Sequence, residues 1–290
     1  VDFRRQREHA EAGRVLFQFG NVPHHAREAV QIVGGVHALE GEAQALKTRA
    51  PNTLRPTLRQ GGYEALVKAF KDTPFSLAEG AHGTALITGP GDPFATRAFR
   101  EGLFVPQDPA SLHVVDLLEL EPGMRVLDLC AGRGIKATAI ADRGAEVLAV
   151  DIEERKLQAC RDLAERMGLE EAIRTYAADG SDPSLDIGTF DRVLVDAPCT
   201  GLGTLRRHPE IAWRKRPDDA SRLGELQKKL LHIGARHVKK GGRLVYAVCT
   251  FGAEEAAPST LEGFETVATH ESRPSEDMDA FQAHVWLRKG

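Results

Sequence analysis

Residues 125 to 151 read RVLDLCAGRGIKATAIADRGAEVLAVD, and this stretch decides the fold class. Two short runs rich in branched apolar residues, RVLDL (125 to 129) and EVLAVD (146 to 151), read as β-strands. Between them the glycine-rich turn Asp128-Leu129-Cys130-Ala131-Gly132-Arg133-Gly134 closes the first strand and opens a helix, and strand, turn, helix, strand is the unit of a parallel sheet. The alternation continues with IRTYAA (173 to 178), FDRVLVD (190 to 196) and GGRLVYAVC (241 to 249). Helical stretches such as ERKLQACRDLAERMG and ASRLGELQKKLLHIGARHVKKG separate them, and Gly241-Gly242 is expected to stop the second. ETVATH (265 to 270) and FQAHVWLR (281 to 288) predict a closing antiparallel hairpin. The expectation is therefore an α/β fold on a mostly parallel, Rossmann-like sheet of about seven strands.

Ahead of residue 105 the pattern weakens. A helix is expected near 24 to 48, a turn-rich stretch at PNTLRPTLRQGG, another helix near 62 to 71, and a turn at GPGDP (89 to 93). Glycine and proline punctuation between Gly102 and Pro106 sets a boundary. The expected domains are a helical segment at 1 to 45, a small N-terminal lobe at 46 to 104, and the α/β domain at 105 to 290.

The chain has 290 residues, 42% of them hydrophobic, enough for a large core and a small one. No apolar run approaches the roughly 20 residues that span a bilayer, and VDFRRQREHAEAGR does not resemble a signal peptide, so a cytoplasmic location with no membrane partner is expected. The four cysteines, Cys130, Cys160, Cys199 and Cys249, form no Cys-x-x-Cys pair and have no histidine at zinc spacing. No metal is expected, and a reducing compartment keeps them as thiols. A net charge of -4 means that any nucleic-acid site must be a local basic patch. The oligomeric state is left open, with a monomer favoured.

The glycine-rich turn lets a backbone approach a ligand closely, although Gly-x-Gly alone is as often just a tight turn. Asp151 closes the second strand, where a carboxylate can accept both ribose hydroxyls of an adenosine. Asp179 in AADG and Asp196 in VLVDAPC extend a row of acids at strand ends, alongside Asp128. Any one of them can be a helix or turn cap; four at successive strand ends favour a ligand crevice. Two cysteines lie beside that crevice, Cys199 in DAPCTGLG and Cys249 in VYAVCTF. A thiolate there can add to carbon 6 of a cytosine and so turn carbon 5, a poor nucleophile, into an enamine that accepts a methyl group. Cys130 packs or lines the turn in this reading, and Cys160, in mid-helix, is a buried core residue.

DAPCTGLGTLRRHPEIAWRK, followed by LQKKLL and GGRLVYAVCTF, resembles the RsmB/Sun family of RNA cytosine-5 methyltransferases. The similarity runs from EGLFVPQDPAS (101 to 111) to the last residue and touches NTLRP (52 to 56). The resemblance implies a seven-stranded methyltransferase sheet, S-adenosylmethionine as cofactor and RNA as partner, ribosomal RNA foremost. It also implies Cys249 as nucleophile and Cys199 as the group that promotes product release. DNA cytosine-5 methyltransferases instead use the position of Cys199, so the presence of both cysteines points to RNA. Cys130, Ala131, Gly132, Arg133, Gly134, Ile135 and Lys136, with Asp151, Asp179 and Asp196, would contact the cofactor. Asp196 would also hold the cytosine, and Lys136 would stabilise a thiolate or a developing anion.

The chain departs from the family where Ala131-Gly132-Arg133-Gly134-Ile135-Lys136-Ala137 replaces Ala-Ala-Pro-Gly-Gly-Lys-Thr. It departs again where Ala253-Glu254-Glu255-Ala256 replaces Pro-Glu-Glu-Asn. Arg206, Arg207, His208, Arg214, Lys215 and Arg216 cluster around Trp213 and would bind RNA by charge and stacking, against the plain reading of a solvated helix lead-in. Two other functions stay open: a divergent methyltransferase acting on transfer RNA or a small molecule, and a catalytically silent RNA-binding or ribosome-assembly factor.

Overall fold

The computed structural model describes residues 50–258, 260–273 and 278–290. The helix expected near 24 to 48, and the segment 1 to 45 containing it, lie outside the described residues. Seven strands form the main sheet: β5 (Arg125–Asp128), β6 (Glu146–Asp151), β7 (Ile173–Ala177), β8 (Phe190–Asp196), β9 (Val238–Val248), β10 (Phe264–Ser272) and β11 (Phe281–Arg288). Their order across the sheet is β10-β11-β9-β8-β5-β6-β7. The strands from β5 to β9 pair in parallel, and β11 runs antiparallel to both β9 and β10. This is the expected mostly parallel sheet with its antiparallel hairpin.

The central strands are apolar on both faces because both faces are covered. Successive residues of a strand point to opposite sides, and so Val126, Leu194, Val245 and Ala247 join one core while Leu127, Val193, Val195, Leu244 and Tyr246 join the other. The first core is closed by Val114 and Val115, by Ala137 and Ile140, and by Cys160 and Ala164. These belong to three helices, Pro109–Asp116, Ile135–Ala141 and Glu154–Met167. The second is closed by Leu230, Leu231 and Ile233 of the long helix Pro217–Arg236. Each such side chain taken from water contributes about 1.5–3 kcal/mol.

Four shorter strands, β1 (Thr53–Pro56), β2 (Ser76–Glu79), β3 (Ala85–Thr88) and β4 (Phe104–Pro106), form a separate antiparallel sheet in the order β2-β3-β1-β4. Its core holds Leu54, Leu66, Phe70, Ile87 and Phe104. The NTLRP stretch, expected as turns, is thus a strand in the middle of this sheet. Its flanking prolines sit where no ladder bond is lost, Pro56 at the last register position opposite Phe104. This sheet docks through a buried Arg55, which donates to Thr138 Oγ1 at 3.0 Å. The backbone N–H groups of Leu58 and Arg59 also donate to the Asp142 carboxylate at 2.8 and 3.1 Å. Burial pushes the Arg55 guanidinium down to about 10.

Gly241-Gly242 does not end the long helix. The helix stops at Arg236, and β9 starts at Val238, which is fully buried and pairs with Phe190. The two glycines sit inside β9, where the register with β8 shifts between Phe190 and Arg192. Gly241 has φ +73, and a Cβ on Gly242 would lie 2.9 Å from the Asp191 carbonyl oxygen. A glycine pair that reads as a helix stop serves here as a bulge.

Candidate active site

From β5 the sheet grows outward through β6 and β7, and the chain then returns to lay β8 on the other side of β5. Loops leaving two strands at such a reversal diverge, and a crevice opens beyond their carboxyl ends. The candidate residues gather there. Asp128 ends β5 and is 1% exposed, with neither carboxylate oxygen meeting a donor among the described residues. Burial first, and then the Asp196 carboxylate, push the Asp128 carboxyl up to about 7.

The turn that follows is tied to both neighbouring strands, Leu129 N–H donating to Leu194 O at 3.0 Å and Ala131 N–H to Val150 O at 2.9 Å. Gly132 and Gly134 take φ values of +55 and +81, which side chains disfavour. The two differ in surroundings. A Cβ on Gly134 would fall 2.3 Å from Cys160 Sγ, whereas one on Gly132 would meet nothing within 4 Å. Gly134 is therefore required by packing, and Gly132 leaves exposed backbone of the kind a nucleoside needs. Cys160 is buried as expected, its thiol pushed up to about 12 by burial. Cys130 is half-buried, and burial with the nearby Asp128 carboxylate raises its thiol well above the ordinary range.

Asp151 braces this turn: its Oδ2 accepts from Gly132 N–H and its Oδ1 from Glu153 N–H, both at 2.9 Å. Beside it Ile152 is 67% exposed, an apolar side chain at the crevice that sequence reasoning missed. Asp179 lies two residues past β7, and its Oδ1 accepts from Ser181 N–H and Oγ–H at 2.9 and 2.7 Å, the turn-capping arrangement. Lys136 stands in the first turn of the helix after the glycines and donates from Nζ to Asp196 Oδ2 at 2.7 Å. Burial works against the Lys136 ammonium, but the Asp196 carboxylate more than offsets it and raises the ammonium above its ordinary value. Arg133 is exposed at the tip of the turn.

β8 and β9 are parallel neighbours with Asp196 opposite Ala247, so the loops leaving them emerge together. Cys199 and Cys249 meet there with their sulfurs 3.2 Å apart, both half-buried free thiols. The pair is unequal. The hydrogen bond from Cys199, aided by the Lys136 ammonium, holds Cys249 below the ordinary thiol value against burial and the Asp196 carboxylate. That same hydrogen bond, then burial, pushes Cys199 well above it. Of the two, Cys249 is the more acidic thiol.

A sequence profile of the 16S rRNA methyltransferase RsmB/F family matches residues 115–285, more than half of the chain. The chain belongs to the RsmB/F family. Ribosomal RNA small subunit methyltransferase B of Thermus thermophilus is 43% identical over 173 residues, which are 60% of this chain and 41% of that protein. The protein of the same name from Citrobacter koseri is 34% identical over 228 residues, 77% of this chain and 53% of that one. This chain thus spans about half the length of the curated relatives it matches. Among solved structures, a methyltransferase homolog protein from Pyrococcus horikoshii shares the fold, with a TM-score of 0.77 at 22% identity over 95% of this chain and 98% of that one.

In this RsmB/F chain the cysteine loops are joined by a residue that the sequence marked only as part of a departure from the family. Glu255 is 1% exposed. Its Oε1 accepts from Thr200 N–H at 2.8 Å and from Gln227 Nε2 at 3.0 Å, and its Oε2 accepts from Thr200 Oγ1 at 2.5 Å. Gln227 also donates to Pro198 O at 2.9 Å, and Thr200 Oγ1 lies 3.0 Å from Thr250 Oγ1. The residues after Cys199 and after Cys249 are fastened to one buried carboxylate and to the long helix. A glutamate seven residues past the end of β9 carries no periodicity, so only the assembled loops reveal it.

The basic stretch of this RsmB/F chain divides. Arg206 and Arg207 are both held in ion pairs. The Arg206 side chain is 0% exposed and pairs through Nε with Asp279 Oδ1 at 2.6 Å. Arg207 pairs with Asp279 Oδ2 at 2.7 Å and Asp108 Oδ2 at 2.6 Å, and donates to Pro51 O at 3.0 Å. Rather than lying free for phosphates, as the sequence suggested, both charges are paired here and fasten the Cys199 loop to Asp279 ahead of β11, to Asp108 and to the chain just before β1. Lys215 turns inward, Nζ to Cys199 O at 3.4 Å. Trp213, Arg214, Arg216 and His208 remain on the surface, Trp213 being 50% exposed and His208 beside Glu210 at 3.4 Å.

Proposed function

We propose that this chain transfers a methyl group from S-adenosylmethionine to carbon 5 of a cytosine in RNA, ribosomal RNA foremost, through a covalent adduct with Cys249. The observation that carries the reading is the unequal thiol pair at 3.2 Å beside the Lys136 and Asp196 ion pair. A core cysteine needs neither a thiol partner nor a buried cation, and a silent fold has no physical use for both.

The residues present fit the donor. Gly132 offers backbone that a side chain would cover, Asp151 keeps acceptor capacity beyond its two backbone bonds, and Ile152 offers an apolar face for an adenine. When bound, the sulfonium supplies an electrophilic methyl group. The chain's own groups do the rest. Cys249 adds as a thiolate to carbon 6, and the pair of electrons displaced from the 5,6 double bond makes carbon 5 nucleophilic. Lys136 holds positive charge beside the thiolate, and Asp196 accepts from the cytosine's polar edge. After methylation water takes the carbon 5 proton, the pair of electrons from that bond restores the 5,6 double bond, and the bond from carbon 6 to sulfur breaks, returning Cys249 as a thiolate; Cys199 promotes this elimination. Reaching a ring face requires the cytosine to be unstacked, and Trp213 with Arg214 and Arg216 offers a platform for the strand around it.

The test uses labelled S-adenosylmethionine and unmodified RNA, followed by nucleoside analysis. Label in 5-methylcytidine is expected; label in any other nucleoside, or none despite donor binding, overturns the reading. Cys249→Ala should abolish turnover while keeping donor binding, and Cys199→Ala should accumulate a protein–RNA adduct. An adduct formed by the Cys249→Ala variant would reverse the two roles.

A further inference from the structure

A second cluster of chemically competent side chains lies away from the cysteines. One ligand atom from each of His82, His113 and Asp116 lies within 4.8 Å of the others. His82 belongs to the turn between β2 and β3; His113 and Asp116 occupy one face of the helix Pro109–Asp116, three residues apart. The His82 and His113 rings are 4.3 Å apart, and the His270 ring, on β10, stands 5.4 Å from that of His113. Three imidazoles and a carboxylate thus converge from the small sheet, the helix and the C-terminal hairpin.

Two observations mark this as more than a surface cluster. His113 Nδ1 is buried and meets no hydrogen-bond partner among the described residues, an arrangement that ordinarily costs free energy. His82 holds φ +53 and ψ +31, a left-handed conformation that costs a non-glycine residue about 1–3 kcal/mol. That backbone brings His82 Nδ1 to 3.2 Å from Asp116 Oδ2. Donors on a tetrahedral ion with bonds of roughly 2.1 Å stand about 3.4 Å apart, so one edge of such a polyhedron is already set. The other Asp116 oxygen is held by Arg143 at 2.6 Å, the kind of outer contact that orients a metal-binding carboxylate.

We propose that His82, His113 and Asp116 form a binding site for a divalent transition-metal ion of the zinc class, with His270 available as a fourth donor, and that the ion clamps the small sheet to the catalytic domain. Two imidazoles and a carboxylate suit such ions better than magnesium or calcium. The absence of metal expected from cysteine and histidine spacing does not bear on this set, whose members come from distant segments.

Chelator-treated full-length protein titrated with cobalt(II) should bind one ion per chain with visible bands of a nitrogen- and oxygen-ligated site, and zinc should displace it. Losing an outer-shell partner alone lowers metal affinity about 10–100-fold, so His82→Asn, on the exposed turn, should weaken binding at least about tenfold, and His113→Ala likewise. Zinc should raise the melting temperature of the parent but of neither variant. Absence of cobalt binding would overturn the proposal. So would binding that survives His82→Asn and carries a near-ultraviolet sulfur-to-cobalt band, which would place the ion on Cys199 and Cys249.

Discussion

Replacing Glu255 by alanine should unfasten the two cysteine loops at a cost that can be worked from its contacts. Three donors lose their acceptor: Thr200 N–H, Thr200 Oγ1 and Gln227 Nε2. A buried donor left unpaired costs about 1–3 kcal/mol. Thr200 Oγ1 can turn to Thr250, and Gln227 keeps its bond to Pro198 O, so their shares lie at the low end, while Thr200 N–H has no alternative. The sum is about 3–5 kcal/mol, a large part of a typical domain's 5–15 kcal/mol. Glu255→Gln should behave differently. Its carbonyl oxygen can still accept from both N–H donors, and its amide can donate to Thr200 Oγ1 while that hydroxyl donates to Thr250. The glutamine variant should stay within about 1.5 kcal/mol of the parent, the net worth of one hydrogen bond. Urea unfolding of the three proteins, with single-turnover methyl transfer measured alongside, makes the comparison. An alanine variant within about 1 kcal/mol of the parent, or one that transfers methyl groups as fast, would refute the claim that this carboxylate holds the site together.

The Asp128 carboxyl keeps its proton up to about 7 in the folded chain but releases it near its ordinary value of 3.8 when unfolded, so the parent loses stability as pH rises between those values. At about 1.36 kcal/mol per unit the loss approaches roughly 4 kcal/mol; Asp128→Asn lacks it, and the stability difference between variant and parent should move in the variant's favour from pH 4 to pH 8 in parallel denaturant titrations. A flat difference would show that the carboxyl ionises normally. At neutral pH iodoacetamide should alkylate Cys249 before Cys199, with sites read by peptide mass, and Lys136→Met should slow that reaction by removing the cation that favours the thiolate. Gly134→Ala should cost about 2–4 kcal/mol from its left-handed backbone and the 2.3 Å approach to Cys160 Sγ; Cys160→Ala should recover part of this in a double-mutant cycle, and strict additivity would place the strain elsewhere.

The strands of the main sheet were legible because each is a short branched apolar run, and a strand buried on both faces needs no alternation to be recognised. The cysteines were legible for the same reason: once β8 and β9 are recognised, residues just past their ends must share one edge of the sheet. What could not be read were pairings between residues remote in the chain. Arg206 and Arg207 look like surface charge until Asp279 and Asp108 are seen against them. NTLRP reads as turns because Pro51 before it and Pro56 at its end outweigh a strand of four residues, and Gly241-Gly242 reads as a helix end because a bulge uses the same residue. Glu255 stood in plain view as part of an altered motif, but its function lies in Thr200 and Gln227, which no local pattern links to it.

The placement of β9 also bears on the order in which the protein is made. The glycine turn, Asp151, Lys136, Asp196 and Cys199 all leave the ribosome before Cys249, and β9, once made, still awaits β11 on its outer edge. Asp279, which anchors Arg206 and Arg207, emerges only just before β11. A nascent chain can therefore shape the crevice long before the Cys199–Cys249 pair exists, and the sheet that carries this pair closes only when β11 joins β9. An unfinished chain thus carries the crevice without the thiol pair that the proposed reaction would use.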